Sequence, residues 1–256
     1  MNESASGEAS MNQLAGKVAL VTGGSRGIGA AIARRLARDG AAVAFTYATA
    51  ADKAQAVAKQ IDADGGRALV IQADNADPSA VTRAVEQTVH DLGRIDILVN
   101  NAGIFASGPL EEMTMEQADR LWAIDVRAVF AASQAAARHM TEGGRIISIG
   151  SALAERAPIP GLTLYAMCKA ALTGLTKGLA RDLGPRGINA TVVHAGLIDT
   201  DMNPADGPGA DFLRPVTAVG SYGRVDDIAA AVAHLAGDGG RSVTGTAITV
   251  DGGFTA

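Results

Sequence analysis

Short apolar runs alternate with longer amphipathic segments along almost the whole chain, and this alternation restricts the fold more than any other feature of the sequence. The short runs are apolar on both faces, as in parallel strands that helices cover on both sides of a sheet. Because crossovers between parallel strands are right-handed, the pattern predicts an α/β fold with a doubly wound, seven-stranded parallel sheet flanked by helices on both faces. The predicted strands are Lys17–Thr22, Ala42–Tyr47, Ala68–Ala73, Ile95–Val99, Arg145–Ile149, Asn189–His194 and Ala247–Val250. The predicted helices are Gly27–Asp39, Asp52–Ala63, Pro78–Leu92, Met115–Met140, Leu162–Leu183 and Asp226–Ala236.

No internal repeat or linker divides the 256 residues, so we expect a single domain over residues 13–256. Residues 1–12 are mostly polar, lack the basic and apolar regions of a signal peptide, and are predicted to form a disordered extension. The longest irregular stretch, Gly196–Arg224, is rich in Pro, Gly and Asp. Long loops of a compact domain usually have a functional role such as covering a binding site, so we expect residues 196–224 to form a substrate lid.

Composition and charge argue against several classes of function. The net charge of −5 is the opposite of the basic excess of nucleic-acid-binding domains, and no stretch approaches the roughly 18 apolar residues of a membrane span. Cys168 is the only cysteine, so it cannot form an internal disulfide, and a buried small apolar residue is its expected role. The four histidines lack the spacing of metal ligands. We therefore expect a cytoplasmic protein without a metal site.

A glycine-rich turn follows the first predicted strand and opens the first predicted helix. Its glycines would let the chain turn sharply, approach a pyrophosphate closely and pack the helix against the strand. The helix N-terminus would then present free N–H groups to the anion. A glycine-rich string is weak evidence alone, but this strand–turn–helix context is the one that a dinucleotide-binding, Rossmann-type fold requires. The predicted cofactor contacts in this turn are Gly23, Ser25, Arg26, Gly27, Ile28 and Gly29.

Three motifs occur in an order and spacing that resemble the short-chain dehydrogenase/reductase family. They are Thr22–Gly29, the Asn-Asn-Ala-Gly motif at 100–103, and Tyr165 followed four residues later by Lys169. The resemblance extends from Leu14 to Ala256. Among the branches of the family, the chain most resembles the 3-oxoacyl-carrier-protein-reductase-like one. It implies an oxidoreductase that interconverts a small-molecule ketone and an alcohol with a nicotinamide cofactor. It also implies a homotetramer with interfaces on the long helices and the C-terminal strand.

The second predicted strand favours NADP(H) over NAD(H). A carboxylate at its end would bind the adenosine ribose hydroxyls and repel a 2′-phosphate, but no acidic residue precedes Asp52 there. Arg26 can reach a phosphate with several donors, and Lys53 adds a second positive charge; a merely solvated turn residue is the alternative for Arg26. The other predicted cofactor contacts, most of them implied by the resemblance, are Thr46, Tyr47, Asp74, Asn75, Asn101, Ala102, Gly103, Tyr165, Lys169, Gly196, Ile198 and Thr200.

Tyr165 and Lys169 stand four residues apart on a predicted helix and therefore project from the same face. A phenol of ordinary pKa about 10 is a poor acid or base near neutrality, and a neighbouring ammonium together with a cationic nicotinamide favours the phenolate. Tyr165 is thus the predicted proton-transferring residue, and Lys169 its activator. Ser151, just past the fifth predicted strand, would donate to the substrate oxygen. Ser148 is the rival serine, but the alternation of its segment assigns it to the strand.

Asp125 departs from the resembling family, in which an asparagine usually holds a water in a proton relay to the lysine. An aspartate loses the amide donor and gains a negative charge that is able to pair with Lys169. We expect Asp125 to support the relay as a fourth catalytic residue, with an altered pH–rate profile. A helix-packing role is the alternative.

The predicted substrate pocket lies between the catalytic serine and the lid, and its apolar side chains favour a partly hydrophobic substrate. Met202, Phe212 and Leu213 would either contact that substrate or anchor the lid. The sequence thus predicts an NADPH-dependent ketone reductase that acts in reverse as a secondary alcohol dehydrogenase. A catalytically weak nucleotide-binding or sensing protein on the same fold is the alternative. The predicted pocket residues are Ser151, Ala154, Ile159, Leu162, Leu197 and Met202.

Overall fold

The computed structural model describes residues 13–256, and the predicted extension over residues 1–12 lies outside them. The described chain forms a parallel sheet of seven strands in the order β3-β2-β1-β4-β5-β6-β7. This strand order reverses direction between β1 and β4, as in a doubly wound sheet, so the predicted fold class is confirmed. The strands are β1 (Val18–Val21), β2 (Ala42–Tyr47), β3 (Arg67–Gln72), β4 (Ile97–Asn100), β5 (Arg145–Ser151), β6 (Asn189–Ala195) and β7 (Thr246–Val250).

Helices cover both faces of the sheet and enclose a core built from small and branched apolar side chains. The helices are α1 (Gly27–Arg38), α2 (Ala51–Ala63), α3 (Pro78–Leu92), α4 (Met115–Trp122), α5 (Ala128–His139), α6 (Thr163–Leu183), α7 (Ala210–Leu213) and α8 (Val225–Ala236). Short 3-10 turns lie at Leu110–Glu112, Ala152–Ala154, Gly184–Arg186, Arg214–Val216 and Asp238–Gly240. α1, α2 and α8 pack on one face, and α3, α5 and α6 pack on the other. Within residues 13–256, no helix has both the length and the apolar character needed to cross a membrane.

Two helices begin at residues whose side chains cap them. Asp77 accepts a hydrogen bond from the Ser79 N–H at 2.8 Å, and Pro78 occupies the first helical position of α3, where no N–H is needed. Thr114 and Gln117 form a reciprocal capping box at the start of α4. These caps satisfy N–H groups that a helix end leaves unpaired, and both helices begin at the predicted residues, Pro78 and Met115.

The predicted helix over Met115–Met140 is interrupted in the structure. A π-helical turn, Ala123–Arg127, joins α4 directly to α5. The backbone keeps right-handed helical dihedral angles at both junctions. Single π turns inside α-helices are rare and are frequent at functional sites. Asp125 lies at the centre of this turn, so the interruption concerns the residue that departs from the family pattern.

The predicted lid, residues 196–224, is mostly irregular and contains α7 and one 3-10 turn. Two isolated bridges tie it together, one between Ile198 and Gly223 and one between Thr200 and Asn203. The segment therefore leaves the end of β6 and returns to the same region before α8 begins.

Candidate active site

The glycine turn lies at the carboxyl edge of β1 and is held there by the end of β4. Gly23 has a φ of 67°, a left-handed conformation that favours glycine. A Cβ on Gly29 would lie 2.3 Å from Gly23 O and 2.4 Å from Asn101 Nδ2, so no larger residue fits. Asn101 Nδ2 donates hydrogen bonds to Thr22 O at 2.9 Å and to Gly23 O at 3.1 Å. The backbone of the turn is thus held in place at the N-terminus of α1 by hydrogen bonds from Asn101.

Thr46 braces the same turn from the β2 side. Its side chain is 1% exposed, and its Oγ1 accepts a hydrogen bond from the Gly23 N–H at 3.0 Å. Its carbonyl accepts a second bond, from the Gly24 N–H at 2.8 Å. The predicted contact between the Thr46 hydroxyl and a cofactor is therefore corrected: the hydroxyl is buried and already bonded, so Thr46 shapes the turn.

Two basic side chains converge on the exposed side of the glycine turn. Lys53 Nζ lies 3.1 Å from Asp201 Oδ2, and Arg26 Nη1 lies 3.8 Å from the same oxygen. The hydrogen bond from Lys53 and the positive charges of Lys53 and Arg26 lower the pKa of the Asp201 carboxyl. Two cations within reach of one anion suit a phosphate group. The contribution of Asp201 was not predicted, because it depends on how the lid folds back.

The other predicted cofactor residues line the same edge of the sheet. Thr200 Cγ2 lies 3.7 Å from the position that a Cβ on Gly27 would occupy, so the loop after β6 reaches the glycine turn. A Cβ on Gly196 would lie 2.4 Å from Asp251 Cα, which explains a glycine there. Ile198 is buried, Tyr47 is the last residue of β2, and Asp74 and Asn75 follow the end of β3.

Tyr165, Lys169 and Asp125 form one connected group, hereafter the catalytic cluster. Lys169 Nζ lies 5.6 Å from the centroid of the Tyr165 ring and 3.0 Å from Asp125 Oδ2. Lys169 is 5% exposed and Asp125 is 1% exposed. Burial disfavours the ammonium, but the negative charges available on Tyr165 and Asp125 outweigh burial and raise the pKa of Lys169. Lys169 is therefore charged throughout the neutral pH range, and its predicted pairing with Asp125 is confirmed.

The loop after β4 closes over this ion pair. Asp125 Oδ1 accepts a hydrogen bond from the Ile104 N–H at 2.9 Å. A Cβ on Gly103 would lie 3.0 Å from Asp125 Oδ2 and 3.3 Å from Lys169 Nζ, so the backbone approaches the pair closely. Both oxygens of Asp125 thus face a donor or a cation, an arrangement that suits a carboxylate.

Ser151 is the last residue of β5, at the edge of the sheet where the other strands also end. β5 runs two residues further than predicted because it pairs with β6 as far as Ser151 and Ala195. Ser151 Oγ accepts a hydrogen bond from the Leu153 N–H at 3.2 Å, and its own proton is free to be donated. Ser148 lies buried inside β5, which agrees with its assignment to the strand.

An aromatic side chain that the sequence analysis missed lies against Tyr165. The rings of Phe105 and Tyr165 pack edge to face, with centroids 5.0 Å apart and planes at 68°, a favourable aromatic geometry. Phe105 is nevertheless 46% exposed. Its loop is joined to the loop of Ile159 by a hydrogen bond from the Gly108 N–H to Gly161 O at 3.0 Å. An aromatic residue two positions after the Asn-Asn-Ala-Gly motif, in a chain with few aromatics, was the available signal.

The predicted pocket residues differ in their exposure. Ile159 and Met202 are exposed, Ala154 and Leu197 are half-buried, and Leu162 is buried where α6 begins. Leu197 also lines a cavity of about 190 Å³ at the base of the lid, together with Ile198, Val219, Ser221, Tyr222, Gly223, Asp227, Val250, Asp251 and Gly252. No residue of the catalytic cluster lines that cavity, so it is separate from the reacting groups.

The described residues contain no group of three or more His, Cys, Asp or Glu side chains arranged to hold a metal ion. Cys168 is buried beside Lys169, and burial together with the charge of Asp125 raises the pKa of its thiol to about 11. Cys168 thus has the predicted role of a small buried residue.

Comparison with known proteins finds extensive similarity. The family model described as enoyl-(acyl carrier protein) reductase matches residues 23–255. A short-chain dehydrogenase from Burkholderia cenocepacia J2315, solved in complex with NADP, has a TM-score of 0.94 and 59% identity and covers 96% of this chain and 100% of its own. The cyclic-di-GMP-binding biofilm dispersal mediator protein of Escherichia coli (strain K12) is 46% identical over 246 residues, 96% of this chain and 100% of that protein. Versicolorin reductase of Emericella nidulans is 37% identical over 257 residues, 94% and 96% of the two chains.

Each of these similarities extends over nine-tenths or more of the chain, and the relatives include reductases and a dehydrogenase solved with NADP. The resemblance inferred from the three motifs is therefore confirmed. This chain belongs to the short-chain dehydrogenase/reductase family of oxidoreductases.

Proposed function

We propose that this protein is an NADPH-dependent ketone reductase, reversible as a secondary alcohol dehydrogenase. The observation that carries the proposal is the catalytic cluster, in which the buried, charged Lys169 lies 5.6 Å from the Tyr165 ring. A phenol beside an ammonium is suited to exchange a proton with a carbonyl oxygen. The cluster belongs to the same edge of the sheet as the glycine turn, where doubly wound folds bind their ligands.

The residues of the turn fit NADP(H) as the cofactor. Gly29 packs against Gly23 O and Asn101 Nδ2 with no room for a side chain, so the turn is held close to the N-terminus of α1, whose free N–H groups suit a pyrophosphate. Arg26 and Lys53 supply two positive charges for a 2′-phosphate, and β2 ends without a carboxylate that would repel it. The related Burkholderia structure contains NADP. When bound, the cofactor supplies the hydride that adds to the carbonyl carbon.

The protein residues then have distinct tasks in reduction. Tyr165 gives its phenolic proton to the carbonyl oxygen, and the Ser151 hydroxyl donates a hydrogen bond to the same oxygen as negative charge develops there. Lys169 stabilises the phenolate that remains on Tyr165. In the oxidation direction the same groups act in reverse, so the phenolate of Tyr165 takes the proton of the alcohol.

Asp125 is proposed as a positioning and charge-balancing residue of this cluster. Lys169 Nζ and the Ile104 N–H approach its two carboxylate oxygens, whereas an asparagine has a single oxygen for both. Its negative charge also offsets part of the field that Lys169 exerts on the phenol.

We propose a partly apolar ketone as the substrate. Large apolar side chains stay exposed in the loops and the lid at this edge, including Phe105, Ile159, Met202 and, on α7, Phe212. Phe105 contacts Tyr165, so it lies where a substituent of the reacting carbonyl would pass. In this proposal residues 196–224 act as the lid of a single domain over residues 13–256.

We also propose a cytoplasmic homotetramer. Exposed apolar residues of α4, α5 and α6 are the candidates for its interface, and they are Met115, Trp122, Phe130 and Met167. Contiguous exposed apolar surface commonly marks a site of protein association. The single unpaired cysteine agrees with a reducing compartment.

The direct test is the optical measurement of NADPH oxidation with a panel of alkyl and aryl ketones, repeated with NADH. We expect turnover of apolar ketones with NADPH and weaker turnover with NADH. Tight NADPH binding without turnover of any ketone or alcohol in the panel would contradict the proposal.

A second candidate function is a nucleotide sensor with weak catalysis. It is favoured by the similarity to the cyclic-di-GMP-binding protein of Escherichia coli, which this chain covers completely. Calorimetric titration with cyclic di-GMP, in the presence and absence of NADPH, separates the two candidates. Saturable cyclic di-GMP binding by a protein that turns over no ketone supports the sensor, whereas ketone turnover without such binding excludes it.

A further inference from the structure

The lid brings a carboxylate to the two cations that we assign to the 2′-phosphate. Asp201 Oδ2 lies 3.1 Å from Lys53 Nζ and 3.8 Å from Arg26 Nη1. Asp201 and Lys53 are 148 residues apart in the chain, so the contact exists only when the lid is folded over the turn. Among residues 13–256, neither cation forms a salt bridge with any other carboxylate.

Asp201 is held in this position by the backbone around it. Thr200 and Asn203 exchange backbone hydrogen bonds at 3.3 and 3.0 Å, which closes a tight turn around Asp201. The Asp199 carboxylate accepts the Ala205 N–H at 2.9 Å and braces the same turn. Thr200 in turn approaches Gly27, so the start of the lid is anchored on the glycine turn itself.

The charges at this corner distinguish the two nicotinamide cofactors. Arg26 and Lys53 attract a 2′-phosphate, and a carboxylate beside them repels it. A ribose 2′-hydroxyl carries no charge, so a carboxylate does not repel it and is able to accept its hydrogen bond. Whether the Asp201 side chain stays beside a bound phosphate or swings away from its two partners, phosphate binding includes a cost that hydroxyl binding does not.

We propose that Asp201 determines cofactor specificity by weakening the preference for NADP(H) over NAD(H) that Arg26 and Lys53 create. The proposal rests on the cofactor assignment of the proposed function, but not on the ketone as substrate. In this proposal the lid supplies a carboxylate near the adenosine ribose, where the end of β2 has none.

The expected size of the effect follows from the exposure of the groups. All three side chains are more than half exposed, so their charges interact largely through water. For a phosphate dianion and a carboxylate about 7 Å apart in water, the repulsion corresponds to about a five- to tenfold change in the dissociation constant. Added salt reduces this change, because the Debye length is only about 10 Å at 0.1 M.

The test compares Asp201→Asn with the parent by calorimetric titration of NADPH, NADH, adenosine 2′,5′-bisphosphate and AMP, none of which requires turnover. Asp206→Asn is the matched control, because Asp206 is an exposed carboxylate of the same lid and forms no salt bridge within the described chain. We expect Asp201→Asn to tighten NADPH and the bisphosphate about five- to tenfold, to leave NADH and AMP unchanged or weaker, and to lose this effect at high salt.

Three results would overturn the proposal. The first is an equal change in affinity for NADPH and NADH, and for the bisphosphate and AMP. The second is weaker NADPH binding by Asp201→Asn, and the third is the same selective gain in Asp206→Asn. A Lys53→Gln variant should show the opposite effect, because the loss of a positive charge should weaken the binding of NADPH and leave the binding of NADH nearly unchanged. Absence of ketone turnover in every variant would refute the reductase alone. An unchanged NADPH-to-NADH affinity ratio in an active reductase would refute the role of Asp201 alone.

Discussion

Replacing Asp125 by asparagine removes one negative charge from the catalytic cluster and nearly preserves the size of the side chain. Lys169 keeps its contact with Ile149 O at 3.3 Å, so it has a partner in the variant. Alcohol oxidation requires the phenolate of Tyr165, and the Asp125 charge disfavours that phenolate. We therefore expect the pH–rate profile of oxidation to move to lower pH in Asp125→Asn.

The size of this shift follows from the distances in the cluster. Lys169 Nζ lies 5.6 Å from the Tyr165 ring centroid, and Asp125 Oδ2 lies 3.0 Å from Lys169 Nζ. These two distances place Asp125 Oδ2 no more than about 9 Å from the ring centroid, and a unit charge at about 8 Å contributes about 2 kcal/mol at an effective dielectric constant of about 20. That energy corresponds to a shift of about 1.5 pH units.

The assay is the initial rate of alcohol oxidation with NADP, measured across pH for the parent, Asp125→Asn and Asp119→Asn. Asp119 is an exposed carboxylate on α4, so its replacement removes the same formal charge without touching Lys169. We expect the Asp119→Asn profile to coincide with that of the parent. Coincidence of the Asp125→Asn profile with the parent, or a shift to higher pH, would refute the charge-balancing role.

Three further predictions concern stability, reactivity and assembly. Because burial raises the pKa of Cys168 to about 11, its thiol should react slowly with a thiol reagent near neutral pH and rapidly after denaturation; equal rates would contradict this. Because burial lowers the pKa of His194, the folded state favours the neutral ring, so stability should fall as pH drops through the ordinary value of about 6.5. The free energy of unfolding, measured by chemical denaturation, should fall less over this pH range in His194→Asn than in the parent. An equal fall would exclude His194 as its source. Phe130→Asp places a charge on the exposed apolar face of α5, and light scattering should show smaller assemblies than the parent forms.

The sheet and the glycine turn were predictable because each has a local cause. Strands buried on both faces are largely apolar along their whole length, so β2 is bounded correctly at both ends. Gly29 is required by a close approach of backbone atoms, and Pro78 and Thr114 mark helix starts through their own chemistry. The proximity of Tyr165 and Lys169 followed from their spacing on one helix.

The features that the sequence did not reveal depend on contacts between distant segments. The π turn around Asp125 changes the apolar periodicity too little to be detected in a single sequence. The orientation of Thr46 depends on which strand end the glycine turn packs against. Phe105 and Asp201 acquire their roles only when loops far apart in the chain meet Tyr165 and Lys53.

The central claim, that Tyr165 transfers the proton, is tested most directly by Tyr165→Phe. This change removes the hydroxyl and keeps the ring that contacts Phe105 and Lys169. We predict that ketone turnover with NADPH falls by about 10²- to 10⁴-fold, the usual contribution of a general acid, while the dissociation constant of NADPH changes little. Turnover close to that of the parent, in a variant that binds NADPH normally, would contradict the account.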